Sequence, residues 1–143
     1  MRLTLTSVVA VSALLVLAGC GSDSGGDSGS GANADACTQF EAAYNDIAEL
    51  SEAGPVGGDV EKWTADKNAA IAKFELLGDQ AEGDVQAVIK DVASGMPVDS
   101  LELTEADSAS GQAFVDNSAA VASACESDGN PITLAEFPLQ KFN

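Results

Sequence analysis

The chain contains no histidine. That removes the commonest general base, the usual partner of a catalytic serine and the commonest zinc ligand. Positive charge is scarce as well: six Lys and Arg stand against 23 Asp and Glu, a net charge of −17. Nucleic-acid phosphates need a positive surface, so that class of partner is excluded. Flat docking on anionic lipid is excluded on the same ground. No Gly-rich loop ending in Lys-Ser or Lys-Thr occurs, so there is no P-loop. The glycines at 25, 26, 29 and 31 follow no strand, which rules out a dinucleotide fingerprint. Aromatics are limited to one Trp, one Tyr and five Phe. A core built from this chain must therefore lean on Ala and Val, and a small core of that kind is marginal without help.

What is present begins at the N-terminus. Arg2 is the only positive side chain before an apolar run, Leu3 to Leu17, interrupted only by Thr4, Thr6, Ser7 and Ser12. A basic start, an apolar stretch and a small-residue end are the signature of a secretory signal. A membrane-spanning helix needs about 20 apolar residues, and this run is shorter and gives way to Gly and Ser. It closes on Leu17-Ala18-Gly19-Cys20, which looks like a bacterial lipobox. The expectation is that residues 1–19 are removed and that the Cys20 thiol carries a diacylglyceryl group. Each buried methylene contributes about 0.8 kcal/mol, so two or more acyl chains hold a protein stably where one is marginal.

Residues 20–34 continue as Cys20 and then GSDSGGDSGSGANA. No large apolar residue occurs, so the segment cannot bury enough surface to offset its entropy and reads as a flexible tether. A Gly/Ser coil of this length spans about 20 Å. Asp23 and Asp27 do not have the spacing of a calcium loop.

Residues 35–143 read as a helical domain: an all-α, antiparallel four-helix bundle with an extended C-terminal tail. The first helix is expected from Asp35 to Glu52, with Cys37, Phe40, Tyr44, Ile47 and Leu50 on one face and a cap at Asp35 or a Thr38/Glu41 capping box. The second starts at the Asp59 cap and ends near Ala81, with Gly83 as the stop. Trp63, Ala70, Phe74, Leu77 and Ala81 form its stripe. Lys67 falls on that stripe and is expected to lay its stem along it and carry its amine outward. The third is capped by Asp84, buries Val85, Val88, Ile89 and Val92, and is closed by Gly95 and Pro97. Val98, Leu101 and Leu103 are expected to cover one end of the bundle. The fourth is expected to begin at a Thr104/Asp107 capping box, to bury Ala106, Ala113, Phe114, Val121 and Cys125, and to end at Asp128-Gly129. Ile132, Leu134, Phe137 and Leu139 alternate in the tail, which suits an extended strap.

With Cys20 given to lipid, Cys37 and Cys125 remain, and an even pair in an exported domain is most simply a disulfide. In an up-down-up-down bundle the first turn of helix one and the last turn of helix four share an end, where the two could meet. No metal ligand set and no cofactor motif emerges. Glu49 with Glu52, Asp79 with Glu82, and Glu102 with Glu105 are close in sequence, as a glycosidase pair must be in space, but helix ends explain them. Lys90 and Ser94 have the spacing of a Ser-Lys dyad, which arises by chance on helices.

The order of lipobox, Gly/Ser/Asp spacer, Cys37 before Phe40, and Cys125-Glu126-Ser127-Asp128-Gly129-Asn130-Pro131-Ile132 resembles small Ala-rich actinobacterial lipoproteins with one helical Cys…Cys domain. The resemblance implies location and fold rather than an activity. It carries over to Cys20 for lipidation and to Cys37 and Cys125 for the bridge. The reading of the whole is a non-enzymatic lipoprotein on the outer face of the cell membrane. Its partners are the membrane, through the anchor, and an envelope protein or a small apolar ligand, with no nucleic acid and no cofactor. A carboxylate-based glycan-active enzyme and a structural subunit of an envelope complex are the alternatives.

Overall fold

The fold grows from one aromatic side chain on the last helix. Phe114 lies 5.2 Å from Tyr44, 5.8 Å from Phe74 and 5.1 Å from Phe137, centroid to centroid. Those partners come from three other segments of the chain, so one ring ties four segments together. Edge-to-face and offset pairs of this kind add about 0.5–1.5 kcal/mol each beyond their burial. Phe40 completes the cluster at 5.2 Å from Phe74.

The computed structural model describes residues 33–105 and 107–139. The expected signal, Cys20, the tether up to residue 32 and Ala106 lie outside the described residues. Among the described residues there are four helices, α1 (Ala34–Ala53), α2 (Val60–Gly78), α3 (Gly83–Ser94) and α4 (Ala109–Ser127), with short 3-10 turns at Val56–Gly58 and Glu102–Thr104. Each helix packs on the next in sequence, and α4 packs back on α1. The all-α bundle is therefore as expected. The buried stripes are those of the periodicity: Cys37, Phe40, Tyr44 and Ile47 on α1; Ala70, Phe74 and Leu77 on α2; Val85, Ile89 and Val92 on α3; Phe114, Val121 and Cys125 on α4.

Cys37 and Cys125 sit at disulfide bonding distance, with Cα atoms 6.0 Å apart. They mark one end of the bundle, the disulfide end. The connections 54–59 and 95–108 lie at the opposite end. Trp63 at the start of α2 reaches the last turn of α1 there, donating its Nε1–H to the Leu50 carbonyl.

The helix ends depart from expectation in informative ways. Asp59 caps α2 as expected, accepting from the Lys62 amide at 2.9 Å. α1 is not closed by Asp35 or by a Thr38/Glu41 box. Asn33 stands at its N-cap, but the Asn33 carboxamide accepts from the Glu82 amide at 2.9 Å, linking the start of α1 to the start of α3. Thr38 instead donates to the Ala34 carbonyl, and Glu41 accepts from the Thr133 amide in the tail. α2 stops at Gly78, three residues short of Ala81, and Gly83 opens α3 rather than closing α2. Asp84 lies inside the first turn of α3, where its charge suits the helix dipole, and Glu82 occupies the cap position.

The largest correction concerns α4. The expected Thr104/Asp107 box does not form, because Thr104 donates to the Leu101 carbonyl and closes a 3-10 turn. That turn buries Leu103 completely. The helix then starts four residues later, where Ser108 Oγ accepts from the Gly111 amide at 3.1 Å. Two caps competed, and burial of Leu103 selected the second. Gly111 is required at that point: a Cβ there would meet the Leu103 carbonyl oxygen at 2.5 Å. Of the three apolar residues expected to cover this end, only Leu103 does so; Leu101 and especially Val98 face outward.

At its other end α4 closes as the Asp128-Gly129 signal implies. Gly129 has φ +82°. Its amide bonds to the Glu126 carbonyl, and the Asn130 amide bonds to the Cys125 carbonyl at 2.8 Å. This is a Schellman closure. The tail then runs back along α1 toward the opposite end. Asn45 holds it like a strand partner, accepting from the Ala135 amide at 2.9 Å and donating to the Thr133 carbonyl at 3.4 Å. Phe137 inserts against Tyr44 and Phe114, so the tail is a strap with a buried anchor.

Candidate functional site

Glu49, Glu52, Asp79, Glu82, Glu102 and Glu105 are all exposed on helix faces and turns. The Lys90/Ser94 spacing does not make a dyad: Lys90 pairs with Asp79 at 3.5 Å, and the Ser94 hydroxyl donates to the Asp91 carbonyl. Tyr44 is core, stacked on Phe114, and burial raises the pKa of its phenol above the usual 10. No grouping of three or more potential metal ligands occurs among the described residues. Of the three cysteines singled out, Cys37 and Cys125 are brought together, and Cys20 lies outside the described residues.

The clefts are surface grooves. One of about 530 Å³ lies at the disulfide end, between the start of α3 and the end of α4, with Asn33, Asp84, Ser127 and Asp128 in its wall. Two more, of about 290 and 470 Å³, follow the α1/α2 groove and share Lys73, which bridges to Asp46 at 2.8 Å. That bridge is half exposed on both sides, where ion pairs contribute at most about 1 kcal/mol.

The unusual chemistry lies at the end opposite the disulfide. Lys67 was expected to carry its amine outward; its side chain is instead fully buried. Its Nζ has no hydrogen-bond partner and sits 4.4 Å from the centroid of the Trp63 ring. The ring is held in place by its bond to Leu50, so it forms a fixed wall. Desolvation pushes the Lys67 pKa below its usual 10.5, opposed in part by the nearby charge of Asp99. Ser100, next to Asp99, is also buried with an unpartnered hydroxyl. Ser118 Oγ is a further unpartnered group, on the buried stripe of α4. Sequence reasoning missed the Lys67 site because a lysine on an apolar stripe is read as amphipathic by default. The signal was there in its i,i+4 spacing from Trp63.

Four of the five large apolar side chains exposed among the described residues lie at the same end: Val56 in the connection before α2, Val60 at the start of α2, and Val98 and Leu101 in the connection before α4; the fifth, Leu76, is on the last turn of α2. No described helix is long and apolar enough to cross a membrane. No protein-family model matches this chain, nor does any curated protein or solved structure.

Proposed function

We propose that this chain is a lipid-anchored, extracytoplasmic lipoprotein whose helical domain is a non-enzymatic binding module for a protein of the cell envelope. The observation that carries the reading is the division of labour among three cysteines. Cys20 follows a signal-like apolar run, and the remaining two pair across the bundle. Disulfides persist in oxidising compartments, which supports export. A tether from an acylated Cys20 would join the domain at Asn33, at the disulfide end. The exposed Val56, Val60, Val98 and Leu101 lie at the opposite end, away from that attachment, where a partner could cover them. The exposed positions of the acidic pairs favour binding over hydrolysis.

The test has two arms. Mass spectrometry of the protein purified from membranes is expected to find a diacylglyceryl-modified Cys20 at the N-terminus and an intact bridge. An unmodified Cys20 in a cytosolic protein with reduced thiols overturns the reading. In the second arm, envelope proteins cross-linked to the wild-type domain are expected to be lost from a Val56→Asp/Val98→Asp double variant. Equal recovery by both forms refutes the binding face.

A further inference from the structure

Val98 is fully exposed and Val56 is 80% exposed, the two most open large apolar side chains among the described residues. Val60 and Leu101 are exposed as well. The four come from two connections that meet at one place. Asp99, between Val98 and Leu101, lies close enough for its charge to act on Lys67. Lys67 Nζ in turn lies against the Trp63 ring, in the first turn of α2. The connection carrying Val98 and Leu101 is thereby set beside the start of α2, where Val60 stands and Val56 just precedes. Charge around the four has one sign. Asp59 and Glu61 flank Val60, Asp99 follows Val98, Glu102 follows Leu101, and all four carboxylates are exposed. Asp59 and Asp99 each accept one backbone amide and keep their charge. The lysines of this end do not cancel it: Lys62 is paired with Asp66, and Lys67 is buried.

We propose that this end docks a basic protein surface, an apolar knob covering Val56, Val60, Val98 and Leu101 within a ring of Lys or Arg that meets the four carboxylates. The proposal rests on the envelope-binding reading and names the chemistry of the partner. Charge selects among the occupants. A two-fold contact between copies of this chain would set the same patch against itself. Carboxylate would then face carboxylate, which opposes the contact. An anionic lipid surface is disfavoured on the same ground. Size points the same way. A standard interface takes about 20–30 residues from each side, so four aliphatic side chains form its centre and the acidic residues beside them its rim. Association is therefore steered by charge and weakened by salt.

The experiment titrates the full-length chain in dodecyl maltoside with a synthetic Leu/Lys amphipathic peptide, and separately with Leu/Ser and Leu/Glu counterparts. The methyl NMR signals of Val56, Val60, Val98 and Leu101 are followed, with exposed Leu76 as the internal reference. Peptide lost to micelles is the same for wild type and variants, so the protein forms are compared at equal peptide. The Leu/Lys peptide is expected to shift the four residues saturably, to leave Leu76 in place and to bind more weakly as salt rises. Glu61→Gln/Glu102→Gln should weaken it about fivefold. Val56→Asp/Val98→Asp should abolish the response at Val60 and Leu101. Equal binding of the Leu/Ser peptide, unchanged by Glu61→Gln/Glu102→Gln, overturns the basic partner. Envelope cross-links that still depend on Val56 and Val98 would then leave the binding face itself standing. Shifts at Leu76 equal to those at the four residues, or no saturable shift with any peptide, also overturn the proposal. So does a dimer in sedimentation that Val56→Asp/Val98→Asp dissociates, since the face would then belong to a second copy.

Discussion

Cys37 and Cys125 are 88 residues apart in sequence and 6.0 Å apart at Cα. They join the first turn of α1 to the last turn of α4, closing nearly the whole helical domain into one covalent loop. A closure of that length restricts the unfolded chain by about 4–5 kcal/mol in the entropy model. The Cys37→Ser/Cys125→Ser variant is therefore expected to lose a large share of the stability of a domain this size. Urea unfolding of wild type with and without reductant checks it: the reduced wild type should coincide with the variant.

Lys67 makes stability depend on pH in a definite direction. Burial lowers its pKa, with Asp99 partly opposing, so the unfolded chain binds the proton more readily than the folded one. Stability should rise with pH between the lowered folded value and the ordinary 10.5, and the penalty should be fully present below that window. Tyr44 acts oppositely at the alkaline edge, since its raised pKa favours the neutral phenol in the fold. Lys67→Met is expected to add about 1–3 kcal/mol at neutral pH. The difference between wild-type and Lys67→Met curves removes the Tyr44 contribution. A difference that does not change with pH contradicts the assignment.

Asn45 should govern the tail without governing the bundle. Its carboxamide makes both hydrogen bonds to Thr133 and Ala135. Asn45→Ala is expected to reduce stability by about 1–2 kcal/mol. Amide exchange should speed up at Ala135 while the amides of α2 and α3 stay protected. Uniform acceleration across all four helices would contradict a separable strap.

Gly111→Ala sets two effects against each other. Alanine raises helix propensity by about 1 kcal/mol. The new Cβ, however, would lie 2.5 Å from the Leu103 carbonyl oxygen, which is backbone and cannot turn aside. Overpacking of this kind costs about 1–3 kcal/mol, so a net loss is expected. Ser108→Ala should cost about 1 kcal/mol through loss of the cap. Chemical denaturation of the two variants measures both.

The features legible in the sequence were those set by local pattern. Three-and-four spacing located all four apolar faces, because each stripe has only one core to meet. Gly129 with Pro131 stopped α4, and Asp59 started α2, because both act within one turn. The features that misled were those settled by distant segments. Asp35 does not cap α1; Asn33 holds the N-cap position and its carboxamide bonds to the Glu82 amide at the start of α3. Glu41 serves the tail rather than a capping box. Thr104 lost the start of α4 to Ser108 because Leu103 had to be buried. Lys67 looked amphipathic until the packing of Trp63 and the connection around Ser100 enclosed it. The acidic residues paired in the sequence stay exposed on helix faces and turns.

The covalent loop also dictates how the domain answers a pull. Tension applied between Asn33 and Leu139 passes from Cys37 to Cys125 through one bond and bypasses the segment between them. Only the short stretches outside that loop can lengthen, so the strap peels away while the four helices feel almost no force. Reduction of a single sulfur pair would release the hidden contour all at once.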